Sequence, residues 1–252
     1  MTTHSICILS YQRPHLLKDC IESLKRHANQ SLEIIVHDDG SQDPEVYKYL
    51  LGLQQRGEIS LLMLNPPGYN SGQGIALNRM FHAAKGDVIW KCDQDLIFQP
   101  GWLETVSEIL DANDEASALG NEPRIGLLAS FHYWHEPCDS RKTIIEQYDG
   151  WSSRTHILGS CFAVTRECWE AIGPFEERSD AFAEDWVFQV AVTDSKNFCC
   201  ALPDRDIVTN QGFGPGPSTV VAYDENNQVV VSKIKKEPYW CNTGDLVANV
   251  EF

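Results

Sequence analysis

Apolar positions along the chain form short continuous runs separated by helical stripes, and this alternation predicts the first half of the fold. Ser5 to Ser10 is an apolar run with a polar tip, as in a parallel strand buried on both faces. Pro14 opens a helical pattern with Leu16, Leu17, Cys20, Ile21 and Leu24 on one stripe. Proline suits the first helical position because the N–H it lacks has no partner there. Leu32 to Val36 predicts a second strand ending in His37-Asp38-Asp39-Gly40-Ser41, and a helix follows Pro44, punctuated by Gly52 and Gly57. Ile59 to Leu64 reads as a third strand, closed by Pro66-Pro67-Gly68. Ile75 to Lys85 reads as a helix led in by Gly72-Gln73-Gly74, with Gly86 in the capping position beyond its end. Asp87 to Cys92 is a fourth strand running directly into Asp93-Gln94-Asp95. Strands alternating with helices imply a mostly parallel, doubly wound sheet covered on both faces, so residues 1–100 read as a nucleotide-binding half.

Beyond residue 100 the pattern loosens. Gly101 to Leu110 predicts a helix, Ile125 to Ser130 a strand, Gly159 to Thr165 a strand, Glu184 to Val192 a helix and Phe198 to Leu202 a strand. Thr219 to Tyr223 and Gln228 to Ile234 read as a hairpin turned by Asp224-Glu225-Asn226-Asn227. The expected organisation is one α/β domain over 1–217, with 101–217 as its second half, and a hairpin extension over 218–252 that could pair with a second copy in a homo-oligomer.

Composition narrows the function classes. The 252 residues are 42% hydrophobic, which is globular, and carry a formal net charge of −16, which argues against stable nucleic-acid binding. Lys233, Lys235 and Lys236 form the only basic cluster, read as a solvated strand face. No apolar run approaches the roughly 20 residues of a transmembrane helix. Met1 to His4 leads straight into a strand, without the basic leader of a signal peptide. Nine cysteines at irregular spacings fit buried thiols in a reducing compartment, so a cytoplasmic location is expected.

In open parallel sheets, ligands gather beyond the carboxyl ends of the strands. Ser10-Tyr11-Gln12-Arg13, Asp38-Asp39 and Asp93-Gln94-Asp95 all fall at such ends. Two carboxylates flanking one residue at a sheet rim form an oxygen-rich site suited to Mg²⁺ or Mn²⁺, which in turn binds phosphates. By itself Asp-x-Asp is common in surface loops; its place after a strand, level with Asp38-Asp39, is what gives it weight.

These segments resemble the family 2 glycosyltransferases of GT-A fold. Ser5 to Arg13 is similar to the family's opening strand and Tyr-Asn-Arg-type turn, and Glu33 to Ser41 with Asp43 to its Val-Asp-Asp-Gly-Ser-x-Asp segment. Asn70 to Asn78, Ala84 to Asp87 and Asp93 to Asp95 match its path to the Asp-x-Asp motif. Gly159 to Arg166, Ile172 to Phe175 and Glu184-Asp185-Trp186 look like its acceptor half, making a mixed second half merged with the parallel sheet. The resemblance covers about residues 5–190 and implies a role for each matching position. Ser10, Tyr11 and Arg13 would line the nucleotide pocket, with Asp39 reading the base edge, uracil for a UDP-sugar. Asp93 would face the ribose and the metal's water shell, Asp95 would bind Mn²⁺ or Mg²⁺, and Asp185 would be the general base. The implied activity is inverting transfer of a sugar from a nucleotide-diphosphate sugar, UDP-linked by preference, to a glycan or other hydroxyl acceptor. Many members supply a later His to the metal; here the matching stretch is Val208-Thr209-Asn210-Gln211-Gly212, so metal dependence is open.

The alternative is a non-catalytic GT-A domain that binds a nucleotide or glycan. A nucleotidyltransferase would need a Gly-rich, basic phosphate loop near the N-terminus, which is missing. Asp185 near a helix start is also a natural N-cap, the alternative to the base role that the resemblance favours. The aromatic loop Phe131-His132-Tyr133-Trp134-His135, with Trp151, is either a sugar-stacking wall or packing under a loop. Trp169 and Trp186 are expected in the core. His132 and His135 lack a third metal ligand.

Overall fold

The computed structural model describes residues 2–132, 143–157, 159–177 and 184–211, together with the backbone of 219–223 and 229–233. Six helices and thirteen strands follow in chain order: β1 (His4–Ser10), α1 (Pro14–His27), β2 (Glu33–Asp38), α2 (Pro44–Gln55), β3 (Leu61–Leu64), α3 (Gln73–Ala83), β4 (Val88–Asp93), β5 (Leu96–Phe98), α4 (Trp102–Ala118), β6 (Ile125–Ala129), β7 (Ile144–Gln147), β8 (Trp151–Arg154), β9 (Cys161–Thr165), α5 (Arg166–Ile172), α6 (Glu184–Asp194), β10 (Cys199–Pro203), β11 (Val208–Asn210), β12 (Thr219–Tyr223) and β13 (Val229–Lys233). Nine strands make one sheet in the order β3-β2-β1-β4-β9-β6-β10-β8-β7. β3, β2, β1 and β4 are mutually parallel, whereas β9 runs antiparallel to both β4 and β6 and welds the second half onto the first. β12 and β13 pair antiparallel, in the expected hairpin, while its turn, Lys235, Lys236 and the 217/218 boundary lie outside the described residues.

Each face of the sheet has its own core. Ile6 and Ile8 of β1 pack with Leu17, Ile21 and Leu24 of α1, Leu50 of α2 and Trp102 and Val106 of α4. Cys7, Ile89 and Phe162 point the other way, onto Leu77, Met80 and Phe81 of α3, Trp169 of α5 and Phe188 of α6. Strands with both faces covered need largely apolar runs, and this is why β1, β2 and β4 were readable; β3, at the sheet margin and only partly buried, is apolar as well. Asp43 caps α2 by accepting from the Glu45 N–H, and Lys25, Arg26 and His27 meet the negative end of the α1 dipole.

Two local expectations are corrected. Gly86 is not a left-handed helix cap. α3 stops at Ala83 with Ala84 extended, and Arg166 donates to the Ala84 and Gly86 carbonyls. Gly86 is glycine because a Cβ there would lie 2.7 Å from the Ser5 nitrogen. α4 also runs two turns past Leu110, because Asn113 is buried and accepts from the Ile125 N–H at 2.8 Å while donating to the Pro123 carbonyl.

Candidate active site

The register of β1 sets the site. Ser10 lies opposite Asp38 of β2, and Leu9 opposite Asp93 of β4, so three polar strand ends reach one edge together. Asp38 is fully buried and accepts from the Ser10 hydroxyl at 2.8 Å and from the Ser41 N–H and hydroxyl at 2.8 and 2.6 Å. It clasps the first two strand ends. Asp39 accepts from the Asn65 amide at 2.5 Å, the Ser71 N–H at 2.7 Å and hydroxyl at 2.6 Å, and the Gly72 N–H at 3.0 Å. The turn just after them needs Gly40, whose φ is +89° and whose Cβ would run into the Tyr69 carbonyl.

Beyond Ser10 the chain passes through two left-handed residues, Gln12 (φ 55°) and Arg13 (φ 51°), before Pro14 starts α1. Such backbone costs energy in residues with a Cβ and persists only when neighbours impose it. Gln94, the middle residue of Asp-x-Asp, does so: its amide donates to the Tyr11 carbonyl at 2.7 Å and its carbonyl accepts the Tyr11 N–H at 3.2 Å. Ser41 accepts the Gln12 N–H at 2.7 Å. The three segments therefore hold one another in place through their own side chains.

The Asp-x-Asp carboxylates face different cations. Asp93 Oδ1 is 2.7 Å from Lys91 Nζ, on the same face of β4 two residues earlier. Asp95 Oδ2 is 3.2 Å from Arg13 Nη1, while Asp95 Oδ1 is buried with no hydrogen-bond partner among the described residues. Gln211, just beyond β11, donates its backbone N–H to the Asp95 carbonyl at 2.7 Å, and its side-chain Nε2 is also buried and unpartnered. An unsatisfied carboxylate oxygen in this position is what a hard divalent cation would complete. Asn210, at the family's His position, pairs in register with Leu96 of β5, which places it on the strand beside Asp95.

From the other half, α6 brings Glu184 and Asp185 to the same charges. The Lys91 side chain is buried; burial works against its ammonium, but Asp93, Asp185 and Glu184 together outweigh this and its pKa is raised. Burial drives Asp93 up to about 6 against the pull of Lys91, and Glu184 up to about 7 with help from Asp185. The Asp185 carboxyl lies directly over Gly159, where any Cβ would collide with Oδ2. Asp185 Oδ1 accepts the Trp186 N–H at 2.8 Å.

Ser10, Tyr11, Arg13, Asp93 and Asp95 thus meet at one sheet edge, Asp39 sits at the neighbouring strand end, and Asp185 couples to the group through Lys91. Lys91, Gln94 and Gln211 were not anticipated; a lysine inside the run Val-Ile-Trp-Lys-Cys was the visible sign of the first. The aromatic expectations divide. Phe131 and Trp151 are buried, Trp151 stacking on Tyr148 at 4.3 Å, and Trp169 is core, but Trp186 is 49% exposed. Among the described residues His132 is 2.8 Å from Asp206, while Tyr133, Trp134 and His135 lie outside them.

A sequence model of glycosyl transferase family 2 matches residues 5–171. An uncharacterised glycosyltransferase of Haemophilus influenzae is 30% identical over 250 residues, covering 92% of this chain and 72% of its own. The chain belongs to glycosyl transferase family 2. A glucosyl-dolichyl phosphate glucuronosyltransferase of Haloferax volcanii is 23% identical over 143 residues, 54% of this chain and 44% of that one. Among solved structures, a mannosyltransferase of Pyrobaculum calidifontis in complex with GDP-Man and Mn²⁺ superposes with TM-score 0.61 at 17% identity, covering 85% of this chain and 58% of that chain. S. aureus TarS (residues 1–349) in complex with UDP-GlcNAc gives 0.59 at 14% identity, over 82% and 57%. The fold of this glycosyltransferase is therefore GT-A, and the chain spans a little over half of those two structures. Among its described residues no helix is long and apolar enough to cross a membrane.

The raised Glu184 carboxyl makes the stability of this family 2 enzyme depend on pH in a defined direction. A carboxyl whose folded pKa lies above its unfolded value stabilises fully below the unfolded value, and that contribution is lost as pH rises through about 7. Glu184→Gln cannot ionise. Its melting temperature is expected to exceed wild type at pH 8 and to show no such gain at pH 5. Comparing the two proteins cancels titrating groups remote from Glu184, leaving Glu184 and the charges coupled to it, Asp185, Lys91 and Asp93, as the source of the difference. Parallel melting curves across this range would contradict the assignment.

Proposed function

We propose that the protein is an inverting glycosyltransferase that moves a sugar from a nucleotide-diphosphate sugar, UDP-linked by preference, to a hydroxyl acceptor. Asp39 and the Ser10, Tyr11 and Arg13 turn receive the nucleoside, and Asp93 faces the ribose. Asp95, with Asp93 nearby, would hold Mn²⁺ or Mg²⁺, which acts as a Lewis acid on the departing diphosphate. The observation that supports this reading is the buried Asp95 Oδ1, with no hydrogen-bond partner among the described residues, together with the similarly unpartnered Gln211 side-chain nitrogen, whose backbone N–H bonds the Asp95 carbonyl. It supplies both an oxygen for a cation and a donor for a phosphate at the strand ends.

In the reaction the acceptor oxygen bonds to the anomeric carbon as the bond from that carbon to the diphosphate oxygen breaks. The acceptor proton passes to Asp185. One displacement on the face opposite the leaving group inverts the anomeric configuration. Arg13 offers the diphosphate a fixed positive group, and Lys91 keeps the Asp93 and Asp185 carboxylates close together without mutual repulsion dominating. Seven cysteines among the described residues are buried free thiols, in keeping with a reducing, cytoplasmic setting.

Thermal unfolding with UDP, GDP, dTDP and CDP, each with and without Mn²⁺, tests the donor site. A ligand at 100 times its Kd stabilises the folded state by about 2.7 kcal/mol. The expected result is a Mn²⁺-dependent upward shift with UDP, reduced in Asp95→Ala. A shift with no nucleotide would remove the donor site; an equal shift without Mn²⁺ would remove the metal from it.

A further inference from the structure

Three of the exposed large apolar side chains, Trp186 (49%), Val187 (40%) and Val190 (40%), occupy one arc of the first two turns of α6. Their neighbours Glu184, Phe188, Gln189 and Val192 face the core. A half-exposed indole is costly to leave in water and marks a contact surface more often than a lone leucine does. This indole directly follows Asp185. The His156 ring meets it edge-on at a centroid distance of 5.1 Å and 62°, which limits how the indole can turn. His156 Nδ1 is paired with the Thr155 hydroxyl at 3.1 Å, and Nε2 has no hydrogen-bond partner among the described residues. Burial lowers the His156 pKa, so near neutral pH the ring is uncharged and its second nitrogen can meet a hydroxyl.

We propose that Trp186 and His156 form a subsite for a neutral saccharide acceptor, the indole covering a C–H face of the sugar and His156 Nε2 meeting one of its hydroxyls. The proposal rests on Asp185 being the base, because the subsite then holds the sugar whose hydroxyl Asp185 deprotonates. The pairing of an apolar plate with a hydrogen-bonding ring matches the two-sided character of a pyranose. Charge argues against a phosphorylated lipid or an anionic membrane on this face. α6 carries Glu184, Asp185 and Asp194 and no Lys or Arg, and the whole chain is at −16. On α6 itself an anionic group would meet like charge, and Lys91 behind it is buried against Asp93, Asp185 and Glu184.

The test uses the full chain and a panel of neutral trisaccharides (cellotriose, maltotriose, chitotriose, mannotriose, galactotriose), with binding read by saturation-transfer NMR. At least one is expected to bind, with Trp186→Ala weakening it about tenfold, equivalent to about 1.4 kcal/mol of stacking, and Trp186→Tyr retaining part of it. The Mn²⁺–nucleotide melting shift is expected to be the same in Trp186→Ala as in wild type. Binding by none of the panel, or equal binding by Trp186→Ala, overturns the proposal, as does Trp186-dependent sedimentation with phosphatidylglycerol vesicles in place of saccharide binding. Loss of the nucleotide shift in wild type with saccharide binding intact would instead overturn the donor-site reading and leave the subsite standing.

Discussion

Asp185→Asn is expected to reduce glycosyl transfer by about 10²- to 10⁴-fold, the range that a positioned general base contributes. The amide matches the carboxylate in shape and still accepts the Trp186 N–H, so folding and the nucleotide-dependent melting shift should be retained. What it loses is the ability to take a proton from an attacking hydroxyl. Gly159→Ala supplies the companion result. There the carboxylate is chemically intact, but the new methyl would occupy the space of Asp185 Oδ2, so the side chain must turn away. Both variants should fail in turnover and succeed in nucleotide binding. Full turnover by Asp185→Asn would shift the base to another group. Full turnover by Gly159→Ala would mean that the observed placement of Asp185 is not the working one.

Lys91→Met is expected to be among the most destabilising single substitutions in the site. It leaves the partly buried Asp93, its side chain 25% exposed, without its counter-ion; removing one partner of a fully buried pair typically costs about 3–5 kcal/mol, and water at Asp93 places this loss at or below the low end. The loss should be greatest at pH 8 and smaller at pH 5, because Asp93, already raised to about 6 by burial, can escape by taking a proton. Urea unfolding midpoints at the two pH values measure this. Adding Asp93→Asn to Lys91→Met removes the stranded charge and should recover most of the stability without recovering transfer. A Lys91→Met protein as stable as wild type at pH 8 would show that the pair does not hold Asp93. A double variant no better than the single one would trace the cost to lost packing instead.

The legible parts of this molecule were those in which one physical demand dominates a stretch of chain. β1, β2 and β4 are covered on both faces, so their residues are mostly apolar, Lys91 of β4 apart, and their polar ends stand out. The carboxylates at those ends could therefore be assigned to one edge before any coordinates. β8, Trp-Ser-Ser-Arg, and β7, Ile-Ile-Glu-Gln, carry no such signal; β7 lies at the sheet margin with all four residues exposed, so its pairing is decided by tertiary contact. The three-residue strands β5 and β11 are too short for any period to register. Trp186 was expected in the core because α6 is apolar nearly all round, and a helix without a polar face does not reveal which side packs. Lys91 and Gln94 escaped notice for another reason. Lys91 pairs with Asp93 two residues on, but its link to Asp185, like that of Gln94 to Tyr11, spans more than 80 residues, and such pairings leave no local pattern.

β4 carries its chemistry on alternate residues: Lys91 and Asp93 on one face, Trp90 and Cys92 on the other. In the ladder with β9, Lys91 stands opposite Phe162 and Cys92 opposite Cys161. Because side chains alternate along a strand, a slip of one residue would turn Trp90 and Cys92 toward α6 and drive a lysine and an aspartate into the apolar layer beneath α1. Such a slip would disperse the proposed site. Under the proposed donor site, nucleotide-dependent stabilisation would therefore double as a gauge of folding fidelity: in a refolded or redesigned preparation, the fraction that responds would be the fraction whose central ladder has closed in the right frame.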